Sequence, residues 1–158
     1  MRIGFGYDAH PLVAGRPLVL AGVTIPYDRG LDGYSDADVA AHAVIDAIFG
    51  AAALGDCGTH FPADDARFAG ARSVELLARA AAMVRDAGYA VGNVDCTIVA
   101  QQPPLSGYIE AMRGCLAAAI GVDIRCVSVK AKRTEGLGFT GESAGMEAHA
   151  AALLDDAR

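Results

Sequence analysis

The sequence predicts an α/β protein in which one sheet is covered by helices, a two-layer sandwich. Apolar stretches typical of strands alternate with longer stretches of helical spacing, in the order ββ-α-α-β-α-β-α. Hydrophobic residues make up 53% of the 158 residues, which is enough for a sizeable core. No repeat or linker interrupts the chain, so we expect a single domain over residues 1–158.

Charge and cysteine usage narrow the class of protein. The net charge is −6 and no basic cluster occurs, which argues against binding to nucleic acid or to a membrane surface. No apolar run approaches the roughly 18 residues of a membrane helix. Strand-like residues follow Met1 directly, so we expect no signal peptide and a cytoplasmic protein. Four cysteines without a C-x-x-C motif predict free thiols.

The first two elements read as strands. Arg2–Tyr7 forms the first, and its residues Gly4 and Gly6 predict that another element packs close to it. Arg16–Ile25 is the second predicted strand, since it is apolar and lies between a glycine and a proline. The segment Tyr27–Gly33 contains two glycines and predicts a loop.

Two helices follow in the middle of the chain. Ser35 is expected to begin the first, because Asp38 three residues later gives an acidic variant of the capping box. This helix is expected to run to about Leu54, and the long loop that follows it, Asp56–Asp65, is predicted to bind a ligand. Ser73–Ala87 has the apolar spacing of an amphipathic helix.

The second half of the chain repeats the alternation. Val94–Ala100 predicts a strand, Leu105–Ile120 a helix and Cys126–Lys132 the last strand. Arg133–Gly141 is a loop whose hydroxyls, charges and glycines suit a phosphate, although a glycine-rich loop alone is a weak signal. An alanine-rich final helix is expected from Ser143 to Leu154.

Asp8, His10 and His42 are the residues most typical of a metal site. Asp8 and His10 are two apart on an extended segment, so their side chains point the same way. Joined by His42 from the first helix, they suit Zn²⁺ with an open position, or Fe²⁺ or Mn²⁺. Asp38 and Asp46 flank His42 at helical spacing and could orient its ring. The alternative is that Asp8 and His10 only shape a turn.

Four short motifs occur in an order known from one enzyme family. They are Asp8-x-His10, Ser35-Asp36-x-Asp38 followed by His42, Asp56-x-Gly58, and the run from Thr134 to Gly141. Because the motifs occur in this order and at these separations, the chain resembles the 2-C-methyl-D-erythritol 2,4-cyclodiphosphate synthase family. The resemblance runs nearly from end to end.

The resemblance implies a phosphorus–oxygen lyase of the non-mevalonate isoprenoid route. Members of the family convert 4-diphosphocytidyl-2-C-methyl-D-erythritol 2-phosphate to 2-C-methyl-D-erythritol 2,4-cyclodiphosphate and release CMP. It implies one Zn²⁺ per active site on Asp8, His10 and His42, and a Mg²⁺ or Mn²⁺ held by Glu135. These four residues would form the catalytic set. The family fold implies a mostly four-stranded mixed sheet, in a homotrimer whose sheets face the three-fold axis and whose active sites lie between subunits.

The resemblance also implies a set of substrate-binding residues. Asp56 would bind the erythritol hydroxyls, and Gly58 would let the backbone approach them. The cytidine pocket would be lined by the segment Ala100–Leu105, in which Ala100, Pro103, Pro104 and Leu105 are the main contacts, and by Ala131. The other implied contacts are Tyr34, Ser35, Phe61, Lys132, Arg133, Thr134 and Phe139.

Several positions depart from the usual family pattern, and most of them concern phosphate. Tyr34 stands where a histidine is usual and Pro104 where a lysine is common, while Lys132 and Arg133 often correspond to threonines. Ala63 and Glu142 replace a usual aspartate and a frequent arginine. One interpretation is that the charges at 132 and 133 compensate for those lost, and every implied metal ligand is intact. The other is a weakened relative that only binds cytidine nucleotides.

A zinc-dependent phosphohydrolase is a further alternative. In such an enzyme the metal generates hydroxide, which attacks a phosphate ester and leaves a linear product. An Fe²⁺ oxygenase is more remote, because its ligand triad normally lies in an all-β barrel and this chain alternates helices with strands.

Overall fold

Seven strands and five helices form the described part of the chain, residues 1–157 of a computed structural model. In chain order they are β1 (Arg2–Ala14), β2 (Leu18–Leu20), β3 (Val23–Ile25), β4 (Arg29–Leu31), α1 (Val39–Ala52), α2 (Cys57–His60), α3 (Ser73–Asp86), β5 (Tyr89–Val99), α4 (Ile109–Ile120), β6 (Val127–Lys132), α5 (Gly138–Gly141) and β7 (Gly145–Asp156). Short 3-10 turns cover Ala66–Phe68, Ser106–Tyr108 and Ile124–Cys126.

One mixed sheet organises the molecule, as predicted. Its strand order is β4-β1-β7-β5-β6, and only the pair β5–β6 is parallel. The sheet has five strands and not the four predicted. It includes the three-residue strand β4, inside the expected loop Tyr27–Gly33, and the strand β7 near the C-terminus, while β2 and β3 form a separate two-stranded sheet. The helix α1 packs across β1, β7 and β5.

Two glycines bring α1 unusually close to β1. A Cβ atom at Gly4 would lie 2.0 Å from the carbonyl oxygen of Ala47, and one at Gly6 would lie 1.9 Å from that of Ala43. No side chain fits in such a space, so glycine at both positions permits the contact. The predicted close packing at these glycines is therefore confirmed.

The predicted final helix from Ser143 to Leu154 is wrong, because this segment forms the central strand β7 between β1 and β5. Alanine favours helices by intrinsic propensity, but pairing with a strand on each side outweighs that preference here. The buried residues fall at alternate positions, as a strand requires. They are Met146, Ala148, Ala150, Ala152 and Leu154. The three alanines at the centre of this set suit a strand that lies beneath a closely packed helix.

Asp38 explains two further differences from the predicted elements. The expected strand Arg16–Ile25 is a hairpin, β2–β3, that turns at Ala21 and Gly22. The Asp38 carboxylate accepts hydrogen bonds from the backbone N–H groups of Ala21 and Gly22, at 2.8 and 2.7 Å. It also accepts from the N–H groups of the first turn of α1 and thereby caps this helix in place of Ser35. Burial raises the pKa of Asp38 to about 6, although these N–H groups act in the opposite direction.

The remaining differences concern boundaries. β1 continues past the predicted Tyr7 to Ala14, and β5 begins at Tyr89, before the predicted Val94. The helix α4 begins four residues after the predicted Leu105. The short helices α2 and α5 form inside the two predicted loops.

The face of the sheet opposite α1 carries exposed apolar side chains. Ile3, Phe5 and Tyr7 of β1 are 77%, 66% and 45% exposed, and we call these three residues the apolar face. Within residues 1–157, no helix has the length and apolar character needed to cross a membrane.

Candidate active site

Asp8, His10 and His42 meet where β1 and α1 are in contact, and we call them the metal triad. Oδ2 of Asp8 lies 3.2 Å from Nε2 of His10 and 2.9 Å from Nδ1 of His42. The side chains of Asp8 and His10 share one side of β1, as the alternation predicts, and His42 reaches them from the first turns of α1. The close approach of the helix at Gly6, two residues before Asp8, makes this meeting possible.

The metal triad fits a divalent cation. One possible ligand atom from each residue lies within 4.8 Å of the other two. A carboxylate and two imidazoles are suitable ligands for zinc and related metals, and three protein ligands leave a position open for a further ligand. The alternative that Asp8 and His10 only shape a turn is wrong, because both lie in the regular pairing of β1 with β7.

The ionisation of the metal triad also suits a cation. Burial opposes the ionisation of Asp8, but hydrogen bonds from His10 and His42 outweigh burial and hold the pKa of this carboxyl well below its usual range. Burial also acts to lower the pKa of His42, whereas its hydrogen bond to Asp8 raises that pKa overall. Asp8 is therefore a carboxylate, the form that binds metal, and a bound cation would displace any proton from Nδ1 of His42.

Two serines contact the other ring nitrogen of His42. Its Nε2 lies 2.9 Å from Oγ of Ser73 and 3.3 Å from Oγ of Ser35. Ser73 is the first residue of α3, and its hydroxyl donates to Oδ1 of Asp36. The ring is therefore held between β1 on one side and the start of α3 on the other.

The prediction that Asp38 or Asp46 orients His42 is wrong. Asp38 is occupied by the backbone groups that it caps, and Asp46 accepts a hydrogen bond of 2.7 Å from the N–H of Cys57. Burial raises the pKa of Asp46 above its ordinary value. Helical spacing does place these carboxylates near His42 along α1, but the imidazole turns away from its own helix towards other elements.

A cavity of about 350 Å³ opens beside the metal triad, and we call it the metal cavity. It brings together five of the predicted substrate-binding residues. These are Tyr34, Ser35, Asp56, Gly58 and Phe61. Its wall also contains Asp46, Cys57, Ala63, Phe68 and Leu76. Burial raises the pKa of the Cys57 thiol to about 12, so this group stays protonated.

The loop from 56 to 61 places Asp56 in the wall of the metal cavity. Oδ1 of Asp56 caps α2 by accepting from the N–H and the hydroxyl of Thr59, at 2.8 and 2.7 Å. A Cβ atom at Gly58 would meet only Oδ1 of Asp56, at 3.7 Å, so the fold itself does not require glycine there. Phe61 packs edge-on against Phe68 with ring centroids 5.4 Å apart, which anchors the loop.

A second cavity of about 180 Å³ lies where β5 and β6 end, and we call it the edge cavity. It is lined by Ala100, Pro103, Pro104, Leu105, Ser106, Ala131, Lys132 and Arg133. Five of the seven residues predicted for a cytidine pocket are therefore together, whereas Gln101 and Gln102 do not line this cavity. No residue lines both cavities. The metal triad lies at β1 and the edge cavity at β6, and β7 and β5 lie between these two strands. Three strand spacings correspond to about 14 Å across the sheet.

The family model described as the YgbB family matches residues 1–155. The chain belongs to the YgbB family. Among its curated members, the chain is 58% identical over 156 residues to the 2-C-methyl-D-erythritol 2,4-cyclodiphosphate synthase of Moorella thermoacetica. This match covers 99% of the chain and 96% of that protein, and it confirms the resemblance found in the sequence motifs.

Solved structures of YgbB-type proteins have the same fold. The bifunctional IspDF of Campylobacter jejuni matches with a TM-score of 0.94 and 41% identity, over 98% of this chain but only 42% of that protein. The IspF of Plasmodium falciparum, solved as a CDP complex, matches with a TM-score of 0.86 and 32% identity, over 99% and 97% of the two chains.

Glu135, predicted as a metal ligand, lies apart from the metal triad in this YgbB-family chain. It is exposed on the loop after β6, with a left-handed φ of 53°. Of the residues that the structure describes, only Asp8, His10 and His42 form a cluster of three possible ligands. On the same loop, the hydroxyls of Thr134 and Thr140 are 3.0 Å apart, while Phe139 lines a shallow pocket beside His10. The predicted roles of these residues stay predictions.

Sequence reasoning assigned no role to Asp36 or Ser73. Asp36 belongs to one of the family motifs, but the motif gives no contact for it. Ser73 lies 31 positions from His42 and stands out only as the start of a helix. Their link to His42 depends on how α3 meets the loop before α1, which no local pattern describes.

Proposed function

We propose that the chain converts 4-diphosphocytidyl-2-C-methyl-D-erythritol 2-phosphate to 2-C-methyl-D-erythritol 2,4-cyclodiphosphate and CMP. The observation that carries this proposal is a metal triad open to a cavity, in a chain 58% identical to a synthase of that product. In this reaction the 2-phosphate of the substrate attacks the β-phosphorus, and CMP leaves with the electrons of the broken phosphorus–oxygen bond. The substrate supplies its own nucleophile, so the protein has to position it and neutralise charge.

Asp8, His10 and His42 would hold zinc. When bound, zinc supplies Lewis-acid charge to a phosphate oxygen. Asp8 contributes an ionised carboxylate, and both histidines already turn one ring nitrogen towards it. Because these side chains are held by the contact of β1 with α1, the substrate phosphates would meet a site that needs little rearrangement.

The metal cavity would hold the erythritol part of the substrate. Oδ1 of Asp56 is used within α2, which leaves its second oxygen to accept from the substrate hydroxyls. Tyr34 and Ser35 line the cavity beside the metal triad and can donate to a phosphate. Phe61 and the open space at Gly58 leave room for the carbon skeleton.

The edge cavity would hold the cytidine. Its apolar lining residues, Ala100, Pro103, Pro104, Leu105 and Ala131, suit a flat base. The backbone N–H of Ala100 donates to the carbonyl of Lys132 at 2.9 Å and ties the ends of β5 and β6 together. Base recognition would then use the backbone groups that remain free at the cavity.

Lys132 and Arg133 would replace the positive charge that the family usually carries at position 104. Both line the same cavity as Pro104, so the charge returns close to the place where it was lost. Within residues 1–157, neither side chain forms an ion pair, whereas Lys130 on the same strand is paired with Asp95 at 2.5 Å. Two unpaired cations at a nucleotide pocket supply the affinity for phosphate that the proposed enzyme needs.

Glu135 would hold the Mg²⁺ or Mn²⁺ that accompanies the diphosphate. Its carboxylate follows Arg133 and Thr134 directly, so it lies beside the proposed nucleotide pocket in sequence. Thr134 and Phe139 belong to the same loop and would close over the substrate. A carboxylate on an exposed loop is free to bind a hydrated cation brought in by phosphate.

The separation of the two cavities supports an active site shared by neighbouring subunits. The metal cavity and the edge cavity have no residue in common, although one substrate would have to reach both. The apolar face of Ile3, Phe5 and Tyr7 offers a surface for further copies of the chain. We therefore infer a homotrimer with the sheets towards its three-fold axis, formed by a single-domain cytoplasmic protein.

Phosphorus-31 NMR of the natural substrate with the protein, Zn²⁺ and Mg²⁺ tests the proposed reaction, with His42→Ala as the control. We expect two coupled resonances of a cyclic diphosphate together with CMP, and neither product with the control. A linear 2,4-bisphosphate released with CMP would contradict the proposal and identify a phosphohydrolase. No turnover by a zinc-loaded protein would also contradict it and indicate a binding protein.

A further inference from the structure

We infer that Ser73 and Asp36 are positioning residues that determine which nitrogen of His42 binds the metal. The inference rests on the proposed metal site. The pair lies outside the metal triad and contacts it only through the far side of the His42 ring.

The direction of the hydrogen bonds follows from the number of protons that Ser73 has. The side chain of Ser73 is fully buried, and its one hydroxyl proton goes to Oδ1 of Asp36. A hydroxyl that has used its proton can only accept from a second partner. Nε2 of His42, 2.9 Å away, must therefore carry a proton and donate it to Oγ of Ser73. Nδ1, the nitrogen that faces Asp8, is then the one that can give up its proton and bind a metal.

Asp36 is fixed in the orientation that this role requires. Its Oδ2 accepts from the backbone N–H of Ser73 at 3.1 Å, which caps α3 because Arg72 provides no side-chain cap. Its own N–H donates to the carbonyl of Ala71 at 3.0 Å. Both the backbone and the carboxylate of Asp36 are thereby hydrogen-bonded to the segment that begins α3. Ser73 cannot turn its proton towards His42 without losing a charge-assisted hydrogen bond to this carboxylate.

Ser35 does not duplicate this arrangement. Its Oγ lies 3.3 Å from both Nε2 of His42 and Oγ of Ser73, which are longer distances than that between Ser73 and the ring. The hydroxyl of Ser35 already accepts from the N–H of Ala37 at 3.1 Å. Ser73 is therefore the main acceptor for the ring proton, and Asp36 is the group that keeps it an acceptor.

Two variants and two controls test the inference on the zinc-loaded oligomer. Ser73→Ala removes the acceptor and leaves Asp36 in place. In Asp36→Asn the side-chain amide can donate to Oγ of Ser73, so the Ser73 hydroxyl can donate to Nε2 of His42. This would favour the tautomer whose proton is on Nδ1. Two substitutions serve as controls. Ser128→Ala changes an exposed serine of β6. Asp65→Asn changes an aspartate that caps the 66–68 turn by accepting from the N–H of Arg67. The readouts are the zinc dissociation constant, from chelator competition, and the nitrogen-15 shifts of the His42 ring.

We expect the wild-type ring to be protonated on Nε2 and to bind zinc through Nδ1. Loss of an outer partner of a metal-bound histidine typically costs about 10- to 100-fold in affinity, and we expect this range for both variants and no change in the controls. The Nε2 proton should also exchange faster with solvent in Ser73→Ala.

Three results would overturn the inference. They are a wild-type ring bound through Nε2, zinc affinity within about twofold of wild type in Ser73→Ala, or an unchanged Nε2 proton in that variant. Ser73→Ala decides the question even if Asp36→Asn fails to fold, because it retains the cap of α3. If the wild type bound no zinc, the proposed metal site would fall as well, so the two failures are distinguishable.

Discussion

The metal cavity and the edge cavity differ in how completely one chain builds them. In the metal cavity, Asp8 and His42 have their hydrogen-bond partners within the chain, and the strand beneath them is packed against α1. At the edge cavity, Lys132 and Arg133 form no ion pair within residues 1–157, and Glu135 is exposed nearby. The first cavity is organised before a ligand arrives, whereas the second presents unpaired charges that need a ligand or a neighbouring subunit.

The difference has a physical origin in the elements that carry the two cavities. The metal triad lies on a central strand and a buried helix, whose positions are set by many close contacts. The edge cavity lies at the end of the edge strand β6 and continues into an exposed loop. Rigid elements suit residues that must converge on one ion, and a loop suits residues that close over a substrate.

The largest expected effect is a loss of activity, without loss of zinc, when the loop after β6 is changed at Glu135. Glu135→Gln should lower kcat by about 100-fold or more, since it removes the carboxylate proposed for the second cation, and should leave zinc binding unchanged. Steady-state release of CMP at saturating Mg²⁺, together with the zinc content, measures both. Glu142→Gln, which changes an exposed glutamate directly after α5, is the control and should keep full activity. Loss of zinc from Glu135→Gln would show that the two regions are not separate.

The contact beneath the metal triad can be broken by one methyl group. Gly6→Ala should lower the free energy of unfolding by about 3 kcal/mol, because its Cβ would meet the backbone of α1 at 1.9 Å. Urea denaturation of the zinc-free protein measures this change.

A matched substitution on the opposing helix gives the control. Gly50 lies in α1, and a Cβ atom there would meet only the carbonyl oxygen of Phe5, at 3.9 Å. Gly50→Ala should therefore stabilise the protein by about 0.5–1 kcal/mol. Similar effects from the two alanines would contradict the proposed role of the close contact.

The smallest expected effect concerns phosphate affinity in the edge cavity. Lys132→Ala should raise KM about tenfold, since one charge-assisted hydrogen bond is lost, with a smaller change in kcat. Lys130→Ala, on the same strand but paired with Asp95, should change KM much less. Equal effects of the two substitutions would indicate general electrostatic attraction and not a specific contact.

The sequence predicts the metal triad better than it predicts the fold around it. Asp8 and His10 follow from the alternation of a strand, and Gly4 and Gly6 predict a close neighbour without identifying it. The central strand β7 was predicted as a helix, because alanine propensity is local while strand pairing is not. The contact of Ser73 with His42 likewise depends on tertiary packing, which no spacing along the chain encodes.

The most direct test of the divided active site combines two inactive subunits. His42→Ala lacks a metal ligand, and Glu135→Ala lacks the loop carboxylate. In a ring that contains both variants, one interface joins the intact metal triad of a Glu135→Ala subunit to the intact loop of a His42→Ala subunit. Co-expression in equal amounts should restore about one quarter of wild-type activity per subunit, as random assembly into a cyclic oligomer requires. Purification through a different tag on each subunit isolates the mixed species. If the mixture were no more active than the two parents, both halves would have to come from one chain, and the proposed shared site would be wrong.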